Sequence, residues 1–278
     1  IRVIANAQPG DHLILEAGRH DGPLVLDRPI ILEGRDNAEV IGNGKGSTIA
    51  ITGEDISIRG LRVTGSGNDH APIDSGIRIA QTAKRVLVEQ NVLVGNLHGI
   101  TIHGGTDTII RNNTIRDTSH VALYLLWSRY VHVYGNVVYH TKNSGAHQSQ
   151  SPWGPGNCLA FRDEDKGTPT GNFGAATGEN YYVYNNLLVN GDSLFQHGKQ
   201  KNIYFGFNTL VTGYYTYNAA IISNGEASGI LENNVIVDAT TVRRPNPASG
   251  YQGDFRLTAK TFGITRANAW SYQPDAAW

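Results

Sequence analysis

Methionine is absent from this 278-residue chain, and cysteine occurs once, at Cys158. A single cysteine excludes an internal disulfide framework. The missing thioethers remove the soft ligands a copper site would favour. Charge is scarce too: 17% of residues are charged and the formal net charge is -1, so there is no basic face for nucleic acid. No apolar run reaches the length of a membrane span. The chain opens at Ile1 without an initiator Met or a signal peptide, which reads as a processed or trimmed product whose export is not directly legible. Its length allows one domain or two. What is plentiful is glycine, at 33 residues, together with many Asn and Thr. That mixture suits short strands joined by tight turns and suits helices badly.

The organising feature is a repeat. The segments Val86–Val94, Thr108–Arg116, Val131–Tyr139, Tyr181–Val189, Ile203–Val211 and Gly229–Val237 can be set under one another, with Ile56–Val63 before them. Each of the six places an Asn between two β-rich stretches: Asn91, Asn113, Asn136, Asn186, Asn208 and Asn234, separated by 22, 23, 50, 22 and 26 residues. The separation of 50 reads as one coil carrying the Gly/Pro/Ser-rich insertions Asn143–Gly156 and Lys166–Gly178. In the regular coils a shorter strand precedes each segment, as in Gly76–Ile79, Gly99–Ile102 and Ala122–Leu125. One coil is therefore a short strand, a turn, a longer strand bent at Asn or Gly, and another turn. Such strands are too short to be stable singly, but stacked about 4.8 Å apart they enclose a continuous apolar interior. The expected fold is all-β: a right-handed parallel β-helix, with Asn stacked on Asn along one corner.

Ile1–Ala7 has helical spacing and predicts a short N-terminal helix over the open end of the solenoid. The expected organisation is one domain: a cap over residues 1–10, coils over 11–239, and an irregular cap or truncated continuation over 240–278.

The stretches ANAQPGDHLILEAGRHDGPLVLDRPIILEG, VIGNGKGSTIAITGEDISIRGLRVTGSG and DSGIRI resemble the carbohydrate-binding and sugar-hydrolase β-helix superfamily. Within it the likeness is to NosD-like periplasmic proteins and to secreted polysaccharide lyases and epimerases. It covers Ile1–Asp117 well and Val121–Asp238 through the repeat alone. The resemblance implies a secreted or periplasmic protein whose partner is a polysaccharide. The Asp-Pro-His-Asp signature of alginate epimerases does not occur in the chain, and the missing Met argues against copper delivery.

Fold does not fix function, so the site is argued from side chains. If Ile77, Ile100, Leu123, Leu159 and Leu194 point inward, alternation turns Arg78, Thr101, Tyr124, Ala160 and Phe195 outward, followed by a column containing His103, Arg162 and His197. Cations there suit the carboxylates of an acidic sugar chain, and aromatic faces suit its rings. Uronate lyases need a base and a charge that neutralises the carboxylate. Lys199 or His197 is the candidate base, Arg162 the neutraliser and Tyr124 the acid, with His103 beside them. Arg78, Phe195, Trp153 and Tyr215 are candidate substrate contacts. Asp163, Glu164 and Asp165 offer hard oxygen ligands for Ca²⁺. His98 and His120, 22 residues apart, are expected to stack on neighbouring coils, where with His103 they offer a transition-metal or proton-transfer site. Asp69, His70 and Asp74 share one turn with Arg78.

Three readings follow. The first is a lyase or C5-epimerase acting on a uronic-acid polysaccharide. The second is a glycoside hydrolase using Asp163, Glu164, Asp165 or Asp192 as its carboxylate pair. The third is a non-catalytic β-helix, either glycan-binding or a NosD-like accessory factor.

Overall fold

The computed structural model describes residues 2–139, 141, 156–162, 178–191, 193–212, 220–223, 227–237 and 263–270. They form a right-handed parallel β-helix. Among these residues the coils contribute strands to three parallel sheets, of ten, ten and eight strands, the last two coils adding to the first two sheets only. The bent strand of the sequence pattern is in fact two strands in separate sheets. Lys84–Glu89 lies in one ten-stranded sheet and Val92–Val94 in the other, with Asn91 at the corner between them. The short strands, among them Ser75–Ile79, His98–His103 and Leu123–Leu126, make the eight-stranded sheet.

Alternation along each strand sends every second residue inward, and register stacks these into columns. Ile77, Ile100 and Leu123 pair in sequence in the short-strand sheet. Ile58, Val88, Ile110 and Val133 do so in the sheet beside it. All are buried in one core. A five-residue helix, Arg2–Asn6, precedes the first coil, and Ile4 and Ala7 pack on the end of that core.

The corner asparagines form one hydrogen-bonded ladder. Asn113 donates through Nδ2 to the carbonyl of Val88 at 2.9 Å, and its Oδ1 accepts the backbone N–H of Asn91 at 3.0 Å. Asn136, Asn186, Asn208 and Asn234 repeat the arrangement. The ladder runs further than the expected end of the coils at residue 239. Asn234 donates its backbone N–H to Asn268 Oδ1, and Ile264–Arg266 and Ala269–Trp270 add strands to two of the sheets. Asn113→Ala is expected to strand a buried N–H and a buried carbonyl at a cost of about 1–3 kcal/mol. Chemical denaturation checks this, and an unchanged midpoint would count against the role.

Candidate metal centre

The outward face of the short-strand sheet is not the open groove that the alternation pattern implies. Thr101, Tyr124, Ala160 and Gln196 lie along it and all are buried. Ile73, Val121, Tyr124, Leu126, Trp127 and Ala160 form a second apolar cluster there, separate from the core. His103 is buried on the same face, its ring 5.3 Å from that of Trp127.

Two expected groove residues turn the other way. Leu159 pairs with Phe195, not with Leu194. That one-residue difference in register exchanges inward and outward positions along the whole strand. Phe195 is therefore core, stacked on Phe205 at 4.2 Å, and offers no face to a sugar. His197 follows it inward, with its ring 5.6 Å from Phe195. Burial holds the His197 imidazole neutral, with its pKa lowered to about 4. A side chain so enclosed cannot act as base toward a solvent-borne polymer. Lys199 is exposed in the turn beyond it. Arg162 ends the strand Asn157–Arg162 and pairs there with Leu126. Trp153, Tyr215, Asp163, Glu164, Asp165 and Asp192 lie outside the described residues.

What the structure does bring together is a group of three histidines. His70, His98 and His120 each present a ring nitrogen within 4.8 Å of the others. His98 and His120 are buried and His70 is partly exposed. Ring centroids are 4.8 Å apart for His70–His120, 4.9 Å for His98–His120 and 5.9 Å for His70–His98. His98 opens its strand and donates its backbone N–H to Asp74 O at 3.3 Å. His120 sits one coil on, its N–H donating to Leu97 O at 2.9 Å. The Tyr124 ring stacks on His98 at 5.2 Å with planes 20° apart, which limits rotation of that imidazole.

His70 arrives from a turn rather than a strand. The buried Asp74 accepts the Asp69 N–H at 3.0 Å, Asp69 Oδ1 accepts the Ala71 N–H at 2.9 Å, and His70 O accepts the Ile73 N–H at 3.2 Å. Ile73 pays for this turn with φ of 58°, a left-handed conformation that a β-branched residue rarely adopts. The sequence pattern points to the stacking of His98 with His120 but offers His103 as their companion, and the third member is His70. The 28 residues from His70 to His98 are one coil plus the extra turn, a spacing that signals the grouping once the coil is known.

The family described as "Periplasmic copper-binding protein (NosD)" matches residues 6–225. The chain belongs to the NosD family. A "Probable ABC transporter binding protein NosD" from Pseudomonas aeruginosa is 28% identical over 136 residues, covering 46% of this chain and 32% of the relative. Its namesake from Stutzerimonas stutzeri is 27% identical over 101 residues, covering 36% and 23%. The chain thus spans a third or less of the length of these NosD relatives. Membership of a family described as periplasmic supports a periplasmic or extracellular location. Among the described residues no helix is long and apolar enough to cross a membrane.

Solved structures share this chain's architecture. An alginate lyase from Paenibacillus sp. matches with a TM-score of 0.56 at 15% identity, covering 97% of this chain and 91% of that one. DFA-IIIase from Arthrobacter chlorophenolicus, in complex with DFA-III, gives 0.65 at 12%, covering 97% and 70%. A family 28 exopolygalacturonase from Yersinia enterocolitica gives 0.57 at 11%, covering 97% and 61%. At these identities the likeness establishes the fold.

Proposed function

We propose that this NosD-family chain is a periplasmic metal-handling β-helix that holds a copper ion between His70, His98 and His120. The observation that carries the reading is the convergence of three imidazoles from two neighbouring coils and an adjoining turn. The donor set fits the metal, because imidazole suits copper, zinc and nickel whereas calcium prefers carboxylate and carbonyl oxygen. The absence of methionine removes thioether ligands but leaves these nitrogens, so it does not count against copper here. The ring nitrogens, within 4.8 Å of one another, are close enough to converge on one ion. An ion held there would supply a Lewis-acidic, redox-active centre. The chain's own contribution is to orient His98 against Tyr124, to fix His70 through the Asp69–Asp74 turn, and to keep most of the cluster out of water.

The test is equilibrium dialysis of metal-free protein against copper(II), zinc(II) and calcium(II) separately. One tightly held equivalent of copper is expected. Stoichiometric calcium with only loose copper would contradict the reading and return the metal to the acidic residues Asp163–Asp165.

A second reading draws on the polysaccharide-active proteins that share the fold. In it the chain acts on a uronic-acid polysaccharide as a lyase or C5-epimerase, with Lys199 and Arg162 as base and neutraliser. Unsaturated product from alginate or polygalacturonate would favour it, and loss of that product in Lys199→Ala would locate the base.

A further inference from the structure

Arg78 differs from the other arginines. Every other arginine whose side chain is described lies within 3.9 Å of a carboxylate. Arg78 has no such ion pair among the described residues, although it is partly buried on the outward face of the short-strand sheet. Its hydrogen bond is to an uncharged ring: Nη2 lies 3.0 Å from His103 Nδ1. A guanidinium can only donate. Nδ1 therefore accepts, and the His103 proton sits on Nε2. Arg78 Nε is buried and has no hydrogen-bond partner among the described residues. Asp74 supplies an attractive charge too far away to form an ion pair, and burial outweighs it, lowering the Arg78 pKa from its usual value.

A half-buried cation held by a neutral imidazole keeps an unused charge and an unused donor. That costs free energy unless an anion completes it. Trp127 backs His103 and fixes the imidazole that aims the guanidinium. Thr101 and then Tyr124 follow Arg78 in register along the same face, leading toward the histidine cluster. Its neighbours in the column are small, with Ala50 before it and Thr101 after it.

We infer that Arg78, positioned by His103, is a carboxylate-binding site for a uronic acid or a small organic acid. The guanidinium matches a carboxylate with paired donors, a fit that an ammonium or a neutral amide does not reproduce. The inference depends on neither reading of the overall function, because it concerns an anion and not a metal or a reaction.

The experiment uses the metal-free chain titrated calorimetrically with D-galacturonate, citrate and, as a neutral control, D-galactose. Saturable one-to-one binding of at least one acid, with none of galactose, is expected. Galacturonate alone would identify an acidic sugar, and citrate alone a small organic acid. Arg78→Gln should weaken binding at least about tenfold, and Arg78→Lys should weaken it less. In the wild type, the ring nitrogen signals of His103 should move as the acid is added, a readout that needs no variant to fold. Copper binding by Arg78→Gln should match wild type, which separates failure of this site from failure of the metal centre. Binding of neither acid, or binding that leaves His103 unmoved and survives Arg78→Gln, would overturn the inference.

Discussion

His98→Ala is expected to lower copper affinity by more than about a hundredfold, because losing a ligand costs more than the 10–100-fold typical of losing a supporting partner. His98 is one of the two buried members of the cluster, 4.9 Å from His120 and 5.9 Å from His70 by ring centroid. Tyr124→Leu should cost roughly tenfold, since the ring stacked on His98 orients a ligand without being one. His103→Ala should leave copper affinity unchanged, because its Nδ1 is committed to Arg78. Competition titration against a chelator of known affinity measures all three. A loss in His103→Ala equal to that in His98→Ala would mean that the wrong third histidine has been chosen.

Acidification is expected to remove several kcal/mol of stability between pH 6.5 and pH 4. Burial lowers the pKa of His197 to about 4, and burial followed by the Arg78 charge does the same for His103. In the unfolded chain a histidine titrates near pH 6.5. Above that pH neither state binds the proton and the native stability is fully present. Below it the unfolded chain takes up protons that the folded chain refuses until about pH 4, so stability falls through that window. Each histidine contributes on the order of 3 kcal/mol. Glu33 enters only the acid edge of the window: Arg59 and then His12 hold its pKa at about 2, so its contribution is lost as pH falls from its ordinary value of 4.5 toward 2. Urea denaturation at pH 7, 5.5 and 4.5 reads the slope. His197→Gln should make that slope shallower by up to about 1.4 kcal/mol per pH unit. An unaltered slope would mean that His197 is protonated in the native state.

The fold was legible because its determinants recur at one phase. Inward apolar residues and the corner asparagines repeat every coil, so six copies of Asn in one setting point to a ladder without any long-range information. The split of the bent strand into two sheets was not legible, since a corner at Asn91 and a bend at Asn91 have the same residues on either side. The inward face of the strand Ser193–His197 was ambiguous for a related reason. Leu194 and Phe195 are adjacent and both apolar, so either satisfies the pattern, and the register is decided by pairing with Leu159. Burial of the outward face escaped the alternation rule because a second apolar cluster, built on Ile73 and Trp127, sits outside the sheet. The candidate metal centre was half visible: His98 and His120 share a phase of the repeat, whereas His70 is carried by a turn outside it.

The most direct measurement is electron paramagnetic resonance of the protein loaded with one equivalent of copper(II). A centre built from His70, His98 and His120 predicts coupling to three imidazole nitrogens, reduced by one in each of His70→Ala, His98→Ala and His120→Ala. A spectrum of oxygen ligation alone, or nitrogen coupling unchanged in all three variants, would contradict it.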